Sequence, residues 1–291
     1  MLVGLCYDVF MSAKILSGKI IRDERMSEIA SNIKAFLTIP AMTIIQVGDR
    51  PDSNSYIQAK KNFATKVGLK TKHVKLREDI KQQDLIDTVE KCNEDVETKA
   101  IIVQLPLPLH IDRDAVIETI DPNKDVDALT AANVKFWLEG REDAIMPATA
   151  RGIKHLLSYY GIELFGKKVC VVGRSILVGK PIALMCLNEN ASVSICHSKT
   201  QNLEEETKRA DILIVAIGKP NFINDNHVRE GQIVIDVGIS KDVDGNLCGD
   251  VDFAKVSPIV SMISPVPGGV GPMTVLSLFE NIIDLSRREE I

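Results

Sequence analysis

Short apolar runs alternate with amphipathic stretches through the first half of the chain. The predicted strands are 41–48, 71–76 and 100–108, and the predicted helices between them are 23–37, 54–67 and 81–93. The run at 71–76 alternates polar and apolar residues, whereas the run at 41–48 is mostly apolar and ends in Gly48. This repeated order of strand and helix predicts a parallel α/β sheet.

The second half repeats the order after a predicted helix at 147–162. Further strands are predicted at 167–173, 191–196, 210–218 and 232–238. These strands are β-branched and apolar on both faces, as expected of parallel strands buried beneath helices. A Pro/Gly loop at 264–272 leads into an amphipathic helix at about 273–288. We therefore predict an α/β protein of two domains, with the boundary near residue 148.

The composition excludes several classes of protein. The chain has 291 residues, of which 45% are hydrophobic and 26% are charged, as in a soluble globular protein. A net charge of −5 argues against a nucleic-acid-binding face. No apolar run approaches the roughly 18 residues of a membrane span. Residues 1–10 lack the basic region of a signal peptide, and we expect them to be an upstream-start extension before Met11.

The cysteines and histidines show no metal-binding pattern. Six cysteines are scattered along the chain without a C-x-x-C motif, and five histidines show no ligand spacing. We expect the cysteines to be small buried residues in a reducing cytosol, and we expect no metal site.

A glycine-containing turn follows the predicted strand at 167–173. Gly173 and Gly179 bracket this turn, and Pro181 fits the first turn of the next helix. A dinucleotide pyrophosphate would bind there, on backbone N–H groups at a helix N-terminus. The spacing is not G-x-G-x-x-G, because Ser175 occupies the middle position, so a plain βα turn remains an equal alternative.

The next strand bears on the choice of cofactor. An NAD site usually has a carboxylate at this strand end, but here the strand ends in C-H-S-K-T at 196–200. Hydroxyls and a cation, together with Arg174, suit a 2′-phosphate, which favours NADP over NAD. An ordinary polar loop explains the same residues equally well.

Several motifs occur together and in one order. They are the Tyr-x-x-x-Lys of residues 56–60, VQLPLP, DPNKDVD, VVGRSILVGKP, CHSKT and SPVPGGVGPMT. From about Ala13 to the C-terminus the chain closely resembles the methylenetetrahydrofolate dehydrogenase/cyclohydrolase family. The resemblance implies a folate-binding catalytic domain at 1–148, a Rossmann-like NADP-binding domain at 149–271, and a last helix at 272–291 that returns to the first domain. The active site would lie in the cleft between the two domains.

The resemblance also implies two reactions and a set of folate-side residues. Hydride passes from 5,10-methylenetetrahydrofolate to NADP, and water then opens the methenyl product to 10-formyltetrahydrofolate. By position, Tyr56 would pack on the aminobenzoyl group, Lys60 would be the essential group at the reacting carbon, Gln104 would orient that lysine, and Asp127 would hold the pterin. A phenol and an amine one helical turn apart share a face, which agrees with a common substrate.

The same resemblance assigns the cofactor side. The residues carried over for NADP are Gly173, Arg174, Ser175, Ser198, Ile239 and Thr274, and those carried over for the cleft wall at the substrate are Pro267, Gly268 and Gly269. For the proline–glycine loop and Thr274, a purely structural hinge is an alternative. The family's homodimeric state is an expectation as well.

The chain departs from the family pattern near the predicted cleft. Ala128 stands where the family usually has glycine, and Ala148 and Ala150 replace the cysteine and the second proline of P-C-T-P-x-G. Replacing glycine by alanine is harmless where φ is negative. These changes leave Lys60, Gln104 and Asp127 in place, so we expect both activities, at rates and in a balance that the changes affect. The alternatives are a dehydrogenase of another substrate, a folate dehydrogenase without cyclohydrolase activity, and a nucleotide-binding protein without catalysis.

Overall fold

The computed structural model describes residues 13–242 and 244–288. The expectations for residues 1–10 and for Cys6 fall outside this range. The described chain forms two compact units, which comprise residues 13–18 with 156–271, and residues 19–155 with 272–288. The domain bounds expected from the sequence stay a prediction.

The second unit, which begins at residue 19, is built around a small parallel sheet. Its strands are β2 (Ala41–Val47), β3 (Lys70–Leu76) and β4 (Thr98–Val103), in the order β3-β2-β4. The central strand β2 is buried along its whole length, whereas β3 at the edge alternates between exposed and half-buried residues. This difference explains why β3 has an alternating sequence and β2 does not.

The helices of this unit follow the predicted pattern with additions. They are α1 (Gly18–Lys34), α2 (Pro51–Val67), α3 (Gln82–Glu94), α4 (Arg113–Glu118), α5 (Ala131–Leu138), α6 (Ala148–Tyr159) and α10 (Val270–Arg288). The short helices α4 and α5 escaped prediction, and α1 begins several residues before the predicted start. Apolar residues of β2, β4, α3 and α4 form one core cluster of the unit.

The first unit contains a longer parallel sheet. Its strands are β1 (Lys14–Ile15), β5 (Lys168–Val172), β6 (Ser192–Cys196), β7 (Ile212–Val215), β8 (Ile233–Asp236) and β11 (Met262–Ile263). Their order is β1-β11-β8-β7-β5-β6, and all of these neighbours are parallel. The order reverses at β5, whose two neighbours β6 and β7 both come later in the chain. Such a reversal is where α/β sheets bind their ligands, at the carboxyl ends of the strands.

Smaller elements complete the first unit. They are α7 (Gly179–Asn188), α8 (Leu203–Lys208), a 3-10 turn (Asp225–His227), α9 (Phe253–Val256) and the antiparallel pair β9 (Ser240–Lys241) and β10 (Leu247–Cys248). The predicted parallel α/β architecture is confirmed in both units. The expectation of burial on both faces is correct for β7, but it is wrong for β6, an edge strand with exposed residues.

The described cysteines agree in part with the expectation of burial. Cys92, Cys170, Cys186 and Cys196 are buried, whereas Cys248 is half-buried. No helix among the described residues has the length and apolar character that crossing a membrane requires.

Candidate active site

Helix α2 presents the two residues with which the Tyr-x-x-x-Lys motif begins and ends. Pro51 starts the helix, where a missing N–H costs nothing, and Gly68 ends it in a left-handed conformation with φ of 81°. Tyr56 is 44% exposed and Lys60 is half-buried on the same side of the helix.

Gln104 fixes the position of the Lys60 amine. It follows the last residue of β4, and its backbone N–H donates to the carbonyl of Ile45 at 2.9 Å. Its side-chain Nε2 donates to the carbonyl of Leu105 at 2.8 Å, which leaves Oε1 to accept from Lys60 Nζ at 3.3 Å. Because the amide nitrogen is occupied, the oxygen faces the amine. The structure thus brings Lys60 and Gln104 together, as the sequence predicts.

The segment that carries Asp127 is held by its neighbours on both sides. Lys124 accepts from the Ile101 N–H at 2.8 Å through its carbonyl, so the segment lies along β4. The buried Asp125 carboxylate accepts from the N–H groups of Leu129 and Thr130 at 3.2 and 2.9 Å. Asp125 is therefore a loop-forming residue, as expected.

The Lys124 side chain gives a further anchor. Its buried Nζ donates to the carbonyls of Asn93 and Asp95 at 2.5 and 3.0 Å, at the end of α3. A cation suits the carbonyl end of a helix, because the helix dipole is negative there. The motif DPNKDVD thus combines a helix-capping lysine, a loop-closing aspartate and, in Asp127, an aspartate that interacts with Lys60.

Lys60 and Asp127 lie close enough for their charges to interact. Burial lowers the pKa of the Lys60 amine, and the negative charge of Asp127 opposes this shift. Burial raises the pKa of the Asp127 carboxyl, Lys60 opposes that shift, and the charge of Asp125 adds to it. The pKa values of Lys60 and Asp127 therefore both shift in the direction of pH 7, which suits groups that exchange protons during catalysis.

Asn281 of α10 is a buried positioning residue that the sequence did not reveal. Its Nδ2 donates to the carbonyls of Val126 and Met146, both at 2.9 Å, and its Oδ1 accepts from Arg151 Nη1 at 2.8 Å. The bond to Val126 ties the helix to the residue before Asp127. A polar pair, Glu280 and Asn281, within an apolar helical stretch was the available signal.

Thr274 also lies in the unit of Lys60. Its hydroxyl is 3.4 Å from the hydroxyl of Thr149, in the segment that departs from P-C-T-P-x-G. Gly152 packs directly on α10, because a Cβ there would lie 2.8 Å from the carbonyl carbon of Met273. The role of Thr274 toward a cofactor stays a prediction.

In the other unit, the turn after β5 requires its two glycines. Gly173 has φ of +135°, and a Cβ there would lie 2.2 Å from the carbonyl oxygen of Ala216. A Cβ on Gly179 would lie 2.3 Å from the carbonyl oxygen of Gly173. Arg174 and Ser175 are exposed on this turn, and Ser175 Oγ accepts from the N–H of Gly179 at 3.3 Å. The turn therefore brings backbone close to backbone at the point where the strand order reverses.

The end of β6 lies beside this turn. Val172 of β5 pairs with Cys196 of β6, and the N–H of Gly173 donates to the Cys196 carbonyl at 2.9 Å. Arg174 lies two residues after Val172, and Ser198 lies two residues after Cys196. Both therefore lie at the carboxyl ends of two neighbouring strands. Both are exposed, and the strand end carries no carboxylate.

These observations test whether a dinucleotide suits the site. The glycine turn, the N-terminus of α7 and the switch in strand order provide the usual pyrophosphate position. Exposed Arg174 and Ser198 suit a 2′-phosphate better than a bare ribose hydroxyl. The residues present therefore fit NADP. Among the described residues, no group of His, Cys, Asp and Glu could hold a metal ion.

Ile239 and the proline–glycine loop adjoin each other in the same unit. A Cβ on Gly271 would lie 3.3 Å from Ile239 Cδ1, and Ile239 is 40% exposed. Gly268 has φ of 106°, and the N–H of Gly269 donates to the Pro265 carbonyl at 2.8 Å. Pro267 is exposed at the start of this turn. The loop and Ile239 thus form a second group, distinct from the phosphate turn.

Comparison with known proteins identifies the family of this chain. Residues 16–127 match the catalytic domain of tetrahydrofolate dehydrogenase/cyclohydrolase, and residues 147–290 match the NAD(P)-binding domain of the same family. The chain belongs to the tetrahydrofolate dehydrogenase/cyclohydrolase family.

Individual relatives match along almost their whole length. The "Bifunctional protein FolD" of Bacillus velezensis is 45% identical over 281 residues, which are 96% of this chain and 99% of that protein. A bifunctional FolD methylenetetrahydrofolate dehydrogenase/cyclohydrolase structure from Campylobacter jejuni has a TM-score of 0.93 at 39% identity, covering 96% of this chain and 100% of that one. The Trypanosoma brucei FolD structure, a complex with NADP cofactor and inhibitor, has a TM-score of 0.91 at 33% identity, covering 96% and 99%. The family resemblance seen in the sequence is confirmed.

Proposed function

We propose that this protein oxidises 5,10-methylenetetrahydrofolate to 5,10-methenyltetrahydrofolate with NADP and then hydrolyses the product to 10-formyltetrahydrofolate. The observation that carries the proposal is the placement of Lys60 3.3 Å from Gln104 and within charge interaction of Asp127. The bifunctional relatives support both reactions rather than the oxidation alone. The reactions belong to the interconversion of one-carbon folates, which supplies purine biosynthesis.

Binding and orientation of the folate fall to side chains of the second unit. The Asp127 carboxylate can accept paired N–H donors from the aminopyrimidine edge of the pterin. The exposed ring of Tyr56 offers a face on which the aminobenzoyl group can stack. Together these contacts hold the reacting carbon near Lys60.

The oxidation needs a hydride acceptor beside that carbon, and NADP supplies this chemistry when bound. Gly173, Arg174, Ser175 and Ser198 would hold its phosphates and adenosine. Ile239 and the proline–glycine loop would contact its nicotinamide half. Thr274 is carried over toward the cofactor by the family pattern alone. The glycine turn and the family pattern support these assignments.

The hydrolysis needs water activated beside a cationic carbon. Because burial lowers the pKa of Lys60, a larger share of its amine is uncharged and able to take a proton from that water. Gln104 Oε1 holds the amine in place and can also accept from the water. The proton gained by Lys60 is then available for the departing ring nitrogen.

We further propose that the protein works as a homodimer in the cytoplasm. Edge strand β6 carries Ile195, which is 45% exposed, and Phe165 and Leu187 of the same unit are 77% and 57% exposed. An unpaired edge strand, together with exposed apolar side chains in the same unit, favours pairing with a second copy. Light scattering after gel filtration should give twice the chain mass, and Ile195→Asp should shift the protein toward the monomer.

The proposed reactions can be tested in one absorbance assay. Purified protein is mixed with 5,10-methylenetetrahydrofolate and either NADP or NAD, and methenyltetrahydrofolate is followed. We expect faster formation with NADP and then decay faster than in an enzyme-free control. Product that forms but decays at the control rate would support the dehydrogenase-only alternative. No product with either cofactor would overturn the proposal and favour a non-catalytic nucleotide-binding protein.

A further inference from the structure

Two aspartates are buried at the carboxyl edge of the longer sheet. Asp236 is the last residue of β8 and is 3% exposed, and Asp250, which follows β10, is 0% exposed. A buried carboxylate is costly unless hydrogen bonds replace its water. The groups that supply those bonds therefore indicate what the aspartates do.

Backbone N–H groups surround the Asp236 carboxylate. Its Oδ1 accepts from the N–H of Gly238 and from that of Asp250, both at 3.0 Å, and its Oδ2 accepts from the N–H of Val251 at 2.9 Å. One side chain thus fixes the turn after β8 to the segment after β10.

The Asp250 carboxylate reaches a different loop. Its Oδ2 accepts from the backbone N–H groups of Ile217 and Gly218 at 2.7 and 3.0 Å, and its Oδ1 accepts from the backbone N–H of Lys219 at 2.7 Å. These three donors belong to the loop that follows β7. Asp250 therefore holds the loop after β7, which is the strand next to β5.

Two glycines leave room for the carboxylates. A Cβ on Gly238 would lie 2.2 Å from Asp250 Cγ, and a Cβ on Gly249 would lie 1.9 Å from Asp236 Oδ2. Any side chain at either position would displace a carboxylate. The backbone is thus shaped around these two groups.

A third loop joins through the main chain of Asp236. Its N–H donates to Ser264 Oγ at 2.8 Å, and Ser264 opens the proline–glycine loop after β11. The loops after β7, β8 and β11 are neighbours at one sheet edge, where α/β proteins bind their ligands. Ile239, which is predicted to contact the cofactor, lies on the loop after β8. Gly269, which is predicted to contact the substrate, lies on the loop after β11.

We propose that Asp236 and Asp250 are positioning residues that set the loops against which the nicotinamide half of NADP binds. The inference rests on the proposed function, because it requires a dinucleotide at this edge. Hydride transfer depends on ring position to within about an ångström, so a shift of these loops lowers the oxidation strongly. Hydrolysis of the methenyl compound needs no hydride acceptor and should be spared.

Asp250→Asn and Asp236→Asn test the proposal, because each keeps the shape but brings an NH₂ group against N–H donors. We expect the KM for NADP in the oxidation, or the Kd for NADP, to rise at least tenfold. The kcat for hydrolysis of supplied methenyltetrahydrofolate should stay within about twofold. Asp211→Asn is the matched control, since Asp211 accepts from the Lys168 N–H at 3.0 Å at the other edge of the same sheet.

Two results would overturn the inference. Unchanged NADP constants in a folded variant would show that the loops do not depend on the carboxylates. Equal losses of oxidation and hydrolysis, or the same change in Asp211→Asn, would indicate a general structural effect. The Kd for NADP separates this inference from the proposed function, because wild-type protein that binds NADP without turnover would contradict only the latter.

If neither variant folds, the wild-type protein gives a second test. Burial raises the pKa of Asp236 to about 7, the backbone N–H donors oppose this, and the charge of Asp250 adds to it. The half-buried Cys248 thiol lies nearby, and burial together with the charges of Asp242, Asp236 and Asp250 raises its pKa. Protonated Asp236 loses an acceptor, so affinity for both NADP and NAD should fall as pH drops through about 7. Constant affinity for both, or a loss for NADP alone that follows its 2′-phosphate, would overturn the proposal.

Discussion

One carboxylate in each unit has a pKa that burial raises, but the two have different partners. Asp127 is half-buried beside an amine, Lys60, and this partial loss of water raises its pKa. Asp236 has also lost water and its pKa is raised to about 7, but backbone N–H groups surround it. A charge partner leaves the carboxylate oxygens available to a substrate, whereas N–H partners occupy them and fix the backbone. The environment thus separates a binding carboxylate from a positioning one, although the residue type is the same.

Replacing Lys60 removes the charge partner of Asp127. We expect Lys60→Met to lower the cyclohydrolase kcat about 10³-fold, since a positioned acid–base group contributes on the order of 10²–10⁴. The NADP affinity should stay unchanged. The adjacent Lys61→Met is the control, because it removes the same charge and should keep activity. Hydrolysis at the parent rate in Lys60→Met would contradict the role of the amine.

Glu280 extends the comparison to a carboxylate with several cations. It is 4% exposed and lies 2.6 Å from Arg25, 3.2 Å from Arg151 and 3.1 Å from His155. We expect Glu280→Gln to lower the free energy of unfolding by about 3 kcal/mol, because Arg25 and Arg151 lose their buried counter-charge and keep only the more exposed Glu28 and Asp284. Asp284→Asn is the control, since Asp284 also pairs with Arg151 but is 41% exposed, and should cost at most about 1 kcal/mol. Urea midpoints measure both, and equal losses would refute the distinction.

The same carboxylate predicts a pH dependence. Burial by itself raises the pKa of Glu280, but the close contact with His155 and the charges of His155, Arg151 and Arg25 outweigh it, so the pKa lies below the usual 4.5. A depressed folded pKa gives stability that is present above the unfolded pKa and is lost as pH falls through the folded one. The wild-type advantage over Glu280→Gln should therefore shrink below about pH 4.5.

Asp125 and Asp127 allow the comparison within one segment. Asp125 accepts from Leu129, Thr130 and Asn133, so Asp125→Asn should cost about 2 kcal/mol of stability. Asp127→Asn should instead keep or raise stability and lower kcat/KM for the folate at least tenfold, because a charge-assisted bond to the pterin is lost. Unfolding and kinetics of both variants decide this, and a reversal of the two patterns would show that the roles are exchanged.

Periodicity predicted the strands and helices that form the cores of both units. The predicted runs for β2, β4, β5 and β7 overlap the observed strands, since burial fixes their apolar sequences. The short helices α4 and α5 escaped because a helix of one or two turns gives too few residues for a period of 3.6. The sequence predicted that β6 is buried, because β-branched residues do not show whether a strand lies at the edge or in the middle of a sheet.

The site was predictable where a motif carried it and not elsewhere. Lys60 and Gln104 meet as the family pattern implies. The polar pair at 280–281 marks Asn281 as unusual but does not reveal its partners, and Asp250 gives no signal, because both bond to backbone groups far away in the sequence. Such bonds carry no sequence pattern, since any residue can supply the N–H or carbonyl.

Ser198 tests the electrostatics of the other unit with a smaller expected effect. We expect Ser198→Asp to weaken NADP binding roughly tenfold, through repulsion of the 2′-phosphate by an exposed carboxylate. NAD lacks that phosphate and should lose less than about twofold. Ser198→Asn, of the same size but uncharged, is the control, and titration with both cofactors gives the ratio. Equal weakening for NADP and NAD would mean that this strand end does not contact the phosphate.

The smallest effect is expected at Ala128, directly after Asp127. Its φ is 56°, a left-handed conformation that favours glycine, and the family usually has glycine there. Relief of that conformation in Ala128→Gly gains about 1 kcal/mol. The freer unfolded chain costs about 0.4–1 kcal/mol, and the lost buried methyl costs about 0.8 kcal/mol. We therefore expect the free energy of unfolding to change by less than about 1 kcal/mol and both activities to stay within twofold. A large gain in either activity would instead show that alanine holds Asp127 away from its best position, which makes this neutral substitution the most sensitive probe of the segment.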